Sequence, residues 1–126
     1  MGTTAPDLDD PSYIAQREAD LARFAQRESG NRNITQTSGG PASGPWQIED
    51  SSRGGSGTWE QSAKWAGLPE LPGGGYGRAI DYPVDQQLLG ARALYDHRGA
   101  QPWAMSDPGR VPATNARASM GTTTSD

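Results

Sequence analysis

Apolar residues return at helical spacing in three stretches of this chain, separated by runs rich in glycine, serine and proline. In the first stretch Ile14, Leu21, Phe24 and Ala25 share one face, which predicts an amphipathic helix from Pro11 to about Ser29. Asp10 suits the N-cap with Pro11 in the first helical position, and Gly30 and Asn31 suit a left-handed termination. In the second stretch Trp59, Ala63 and Ala66 turn inward; Thr58 is the predicted cap, Gln61 sits at the capping-box position, and Gly67 ends the helix before Pro69. A third helix is predicted to start at Pro83, to bury Val84, Leu88, Ala91 and Tyr95 with Leu94 beside them, and to stop at Gly99.

The intervening segments carry different signals. From Asn31 to Gly44 the chain is polar; Thr35, Thr37 and the Ser38-Gly39-Gly40 turn predict a short hairpin or extended loop returning through Trp46, Gln47 and Ile48. Ser51 to Gly57 has the composition of a linker, and Pro69 to Tyr82 that of a flexible glycine-rich loop. The run Gly73-Gly74-Gly75-Tyr76-Gly77 lacks the lysine and the Ser/Thr of a phosphate cradle, and no strand precedes it. Pro102-Trp103 is expected to pack on the core as a short segment. The predicted fold is α+β, mainly α: one small domain over 10–103 with a short β-hairpin, a flexible arm at 1–9, and a flexible or partner-bound tail at 104–126.

Composition narrows the classes. The 126 residues are 33% hydrophobic and include 17 glycines and 10 prolines, so little apolar material must hold many turns. Without cysteine there are no disulfides and no thiol chemistry, and with a single histidine a structural zinc site has too few ligands; no metal and no cofactor are expected. The net charge of -4 argues against nucleic acid as a partner. No stretch is long and apolar enough to enter a membrane, and no export leader is visible, which leads to the expectation of a protein that acts where it is made, is delivered by other machinery, or is cut from a longer chain.

The candidate chemistry centres on Glu28. It falls on the apolar face of the first helix, in its last turn, where both burial and the negative end of the helix dipole disfavour ionisation. Both effects are expected to raise its pKa towards the range in which a carboxyl group donates a proton at neutral pH. Glu49 and Asp50 are the nearest carboxylates that could serve as a second acid–base group, and in an extended segment only one of two neighbours can face a cleft. Of Trp46, Trp59, Trp65 and Trp103, most are expected in the core and one against a sugar. His97, near a helix C-terminus, and Asp81 and Asp85, near a helix start, suit capping roles.

Three ordered features resemble the lysozyme-like lytic transglycosylases. They are Glu28-Ser29-Gly30 at a helix end, followed by an asparagine at Asn31 or Asn33; Gly44-Pro45-Trp46-Gln47-Ile48 after a polar hairpin; and a late helix ending near Gly99 before Pro102-Trp103, as in resuscitation-promoting factors. The resemblance spans Ile14 to Trp103. It implies a lysozyme-like domain that cleaves the β-1,4 bond between N-acetylmuramic acid and N-acetylglucosamine. Glu28 would be the catalytic acid, Ser29 would orient it or bind substrate, and Asn31 and Gln47 would bind the glycan strand. Stacking of a sugar on Trp46, where relatives often carry Leu or Met, is our addition.

The Ala-Tyr-Asn-x-Gly segment of many soluble lytic transglycosylases is absent, with Tyr76 and Tyr82 the candidates to replace its tyrosine; the Ser51 to Gly57 insertion is a second departure. If neither Glu49 nor Asp50 reaches the sugar, a transglycosylase route needing one glutamate is favoured. The implied setting is a virion of a bacteriophage opening the wall during genome entry, or the bacterial periplasm and envelope, with other virion or envelope proteins docked through the termini. The alternative is a non-catalytic structural or glycan-binding module that keeps the same shell.

Overall fold

Asp10 sets the start of the first helix in the computed structural model, which describes residues 7–36 and 38–106. Residues 1–6 of the expected arm at 1–9, Thr37, and residues 107–126 of the expected tail at 104–126 lie outside the described residues. The Asp10 carboxylate accepts the Ser12 backbone N–H at 2.8 Å, and Pro11 opens α1 (Pro11–Ser29). Gly30 and Asn31 both take left-handed backbone angles, φ 67 and 64, so that their N–H groups return to the carbonyls of Gln26 and Ala25. Tyr13, Leu21, Phe24 and Ala25 form the buried face of α1, while Ile14 packs only at its edge.

The polar stretch after α1 folds back twice. Gln36 N–H donates to the Ala42 carbonyl at 3.0 Å and Thr35 bridges to Ser43, which makes the first reversal. The second is tighter: β1 (Ala42–Ser43) pairs antiparallel with β2 (Ile48–Glu49), Ala42 opposite Glu49 and Ser43 opposite Ile48. Trp46 and Gln47 therefore lie in the turn, and not in the returning strand that the pattern predicts. Gly44 makes this turn possible, with φ 83 and no room for a side chain, since a Cβ there would lie 1.9 Å from Gln87 Oε1.

α2 (Thr58–Ala66) starts one residue earlier than predicted, because Gly57, at φ 78, takes the cap position and Thr58 becomes the first helical residue. Gly67 closes it in the left-handed region as expected. After a 3-10 turn (Ala79–Asp81), Pro83 leads into α3 (Val84–Arg98). The buried stripe of α3 begins at Gln87, whose amide donates to the Tyr82 carbonyl at 2.8 Å, and continues through Gly90, Ala91, Leu94 and Tyr95. Val84, predicted in the core, stays exposed in the first turn.

Trp59, fully buried on α2, decides how α2 and α3 meet. Its ring lies over Gly90, where an added Cβ would come within 2.6 Å of it, and it meets the edge of Tyr82 at 5.4 Å. Its indole N–H donates to the Tyr76 carbonyl at 3.0 Å, which ties down the glycine-rich loop. That loop is a hydrogen-bonded turn, Gly74 N–H to Leu71 and Leu71 N–H to Gly75, both at 2.8 Å. The architecture is thus α+β and mainly α, with three α-helices among the described residues around one core and a two-stranded sheet at its side.

Polar pairs align α1 with α3. Arg17 meets Asp96 at 3.1 Å, Arg92 meets Glu18 at 2.7 Å, and the Tyr95 hydroxyl donates to Asp20 at 2.7 Å. Burial pushes Asp20 upward in pKa, but hydrogen bonds from Tyr95, Arg23 and Gln16 outweigh it and hold the carboxyl below its ordinary value. A folded-state pKa below the unfolded one gives stability that is complete above the unfolded value, about 3.9, and lost as pH falls through the folded one. Thermal unfolding followed from about pH 6 downwards should therefore show a falling Tm in the acid range. Asp20→Asn should be less stable at neutral pH and should lose part of that acid slope; an unchanged slope would refute the assignment.

Candidate functional site

The carbonyl end of α1, the hairpin, the start of α2 and the end of α3 enclose a cleft of about 870 Å³. Glu28 reaches it from the last helical turn and is half-buried there. The next residue holds the helix end in place. Ser29 is buried, and its hydroxyl hydrogen is shared between the carbonyls of Pro45 at 2.8 Å and Ala25 at 3.1 Å. Its oxygen accepts the Arg32 N–H at 3.0 Å. Of the roles expected for Ser29, substrate binding is corrected, because its hydroxyl is used in joining α1 to the hairpin turn.

Gln47 lies on the cleft wall with φ 49. Its amide nitrogen donates to the carbonyls of Ile34 and Gly44, both at 2.9 Å, which uses both hydrogens and fixes the side chain. Its amide oxygen has no hydrogen-bond partner among the described residues, so it remains an acceptor for a ligand. The adjacent acids separate as alternation requires. Glu49 lines the cleft and accepts the Ser56 N–H at 3.1 Å.

Asp50 points away and is only 3% exposed, so its candidacy as the second carboxylate is corrected. Burial pushes Asp50 up, yet the Ser52 hydrogen bonds and the Arg78 guanidinium at 3.3 Å prevail and hold it below the ordinary carboxylate range. The same Arg78 donates to the Gly40 carbonyl at 2.9 Å, so this pair fastens the base of the hairpin.

Two further expectations are corrected by burial and direction. Trp46 is 8% exposed, its ring belongs to the core, and its indole N–H donates to the Leu21 carbonyl at 2.9 Å; no ring face is left for a sugar. Asn31 lies outside the cleft, with its amide donating to Gln26 at 3.0 Å, and serves the helix terminus. Tyr76 and Tyr82 do not line the cleft either; the Tyr82 hydroxyl donates to the Pro69 carbonyl at 2.7 Å.

The cleft also contains residues that sequence reasoning missed. Trp103, expected simply to pack on the core, stacks on Phe24 at 4.8 Å and borders the cleft with Pro102. Arg32 and Arg98 line it as well. Arg32 could have been suspected from its place four residues after Glu28, whereas nothing near Arg98 in the chain signals its approach. Among the described residues no group of three His, Asp or Glu side chains is arranged to hold a metal ion, and no helix is long and apolar enough to cross a membrane. No protein-family model, curated protein or solved structure matches the chain.

The hydrogen bond from Trp46 to Leu21 gives a direct test of the corrected role. Trp46→Phe keeps an aromatic ring but removes the indole donor, while the Leu21 carbonyl keeps its helical partner, which should cost about 0.5–1.5 kcal/mol in urea unfolding. Any effect on glycan affinity should scale with this loss of stability; a stable variant that selectively lost sugar binding would restore the stacking role.

Proposed function

We propose that this chain cleaves the β-1,4 bond between N-acetylmuramic acid and N-acetylglucosamine in peptidoglycan, with Glu28 as its acid and then its base. The observation that carries the proposal is the position of Glu28: a half-buried carboxyl in the last turn of α1, bordering a cleft that Gln47 and Glu49 of the hairpin also line. The volume, about 870 Å³, falls within the range of about 300–1,000 Å³ typical of ligand clefts. The motif order Glu28-Ser29-Gly30, Gly44 to Ile48, and Pro102-Trp103, which resembles the lysozyme-like lytic transglycosylases, supports the same reading: all three segments contribute residues to this one cleft.

In the transglycosylase route Glu28 gives its proton to the glycosidic oxygen as the bond from that oxygen to the muramic C1 breaks. The resulting carboxylate takes the proton of the muramic 6-hydroxyl while that oxygen bonds to C1. A 1,6-anhydro end forms, and Glu28 recovers the proton it gave. Gln47 offers its amide oxygen to a sugar hydroxyl or acetamido N–H. The position of Glu49 favours a second reading, hydrolysis, because a second carboxylate on the same cleft could activate a water molecule. Either chemistry places the protein at a bacterial wall, reached from a virion or from the envelope.

Glu28→Gln should fold with an unchanged circular dichroism spectrum and lose about 10²- to 10⁴-fold in the rate of clearing a peptidoglycan suspension. Equal rates for variant and parent would reject the catalytic assignment and leave a glycan-binding module. Mass spectrometry of the released fragments separates the two routes: 1,6-anhydro ends with little effect of Glu49→Gln support transglycosylation, while reducing ends and a strong effect support hydrolysis.

A further inference from the structure

The electrostatics of the cleft differ from those of the chain. The whole sequence carries a net charge of -4, yet arginines from two distant segments converge on the cleft that holds Glu28 and Glu49. Most other arginines near the core are already engaged: Arg17 with Asp96, Arg78 with Asp50 and Arg92 with Glu18. Arg98 differs. It is half-buried at the end of α3, lines the cleft, and has no hydrogen-bond or ion-pair partner among the described residues.

Arg32 lines the same cleft but is exposed. Its Nε donates to the Ser29 carbonyl at 2.8 Å, which fixes the direction of the side chain, while its two terminal nitrogens have no partner among the described residues. Arg98, half-buried, gives up part of its hydration with no acceptor among the described residues, which is costly unless a ligand supplies one. The planar fork of arginine matches the two oxygens of a carboxylate.

We propose that Arg32 and Arg98 form a carboxylate-binding subsite, so that the cleft selects glycans bearing an acid over neutral ones of the same length. The inference rests on the proposed glycan-cleaving function and adds to it the chemical class of substrate and two specificity-determining residues. The carboxylate can come from the lactyl ether of a muramic residue or from a peptide stem attached to it. Such a subsite also explains how an acidic protein engages an acidic wall: the repulsion of the net charge is screened beyond about 8–10 Å at physiological salt, whereas an ion pair made at the half-buried Arg98 is screened less.

The test is calorimetric titration of the intact protein with three disaccharide probes. They are chitobiose, the disaccharide N-acetylglucosaminyl-N-acetylmuramic acid, which lacks the scissile bond, and the same disaccharide carrying a peptide stem. The expected result is about tenfold or greater preference for an acidic probe over chitobiose, weakening as salt is raised. The acidic probe that shows the preference identifies the source of the carboxylate. Arg98→Gln and Arg32→Gln should each lower the ratio of affinities, and together should bring it close to one; Arg98→Lys, keeping the charge without the fork, should fall between.

Equal binding of all three probes by the parent overturns the proposal without any variant being needed, as does the absence of binding or a ratio preserved in a folded double variant. Failure of the catalytic reading looks different, with the acidic preference intact and the wall uncut. Cleavage with no acidic preference removes this inference alone.

Discussion

Everything in the site depends on a lock between the C-terminal end of α1 and the hairpin turn. Ser29 donates to the Pro45 carbonyl, and the Trp46 indole donates to the Leu21 carbonyl about two turns earlier in the helix. The Trp46 carbonyl then accepts the Trp103 indole N–H at 3.1 Å, and Trp103 stacks on Phe24. Three segments far apart in the chain are thereby held with buried, directional bonds whose loss would leave unpaired polar groups in the core. The cleft is the space these ties leave open, and Glu28 borders it because Ser29, its neighbour, is held.

The charged groups divide by the same logic. Asp20 and Asp50 are buried and satisfied, the first by Tyr95, Gln16 and Arg23, the second by Ser52 and Arg78; both serve the frame. Glu28 and Glu49 instead border the cleft, as do Arg32 and Arg98. A domain with so little apolar material gains rigidity from the first set, while the second set lines the cleft. A net charge describes neither set, since it sums groups that the fold has placed in different environments.

Local chemistry made much of the frame legible in the chain. The start of α1 at Asp10-Pro11 and the helix ends at Gly30, Gly67 and Gly99 were readable because caps and left-handed glycines act within a few residues of their own position. The apolar periodicity identified Leu21, Phe24, Trp59, Ala63, Ala91, Leu94 and Tyr95 as core. It placed the cap of α2 one residue late, because Gly57 caps by backbone conformation and carries no side-chain signature. The tight reversal at Gly44 was missed because it depends on the Gln87 side chain from α3 pressing against a position without a Cβ.

The sequence by itself determined three helices, their termini and the presence of an acid on the apolar side of the first, since each follows from neighbours along the chain. Only the tertiary structure decided that Trp46 is a tie within the core, that Glu49 and not Asp50 meets the cleft, and that Arg98 lines the same cleft as Glu28. Those outcomes depend on which surfaces pack together: Trp46 with Leu21 and Asp50 with Arg78 are brought into contact, and Arg98 to the cleft, by the fold and not by spacing.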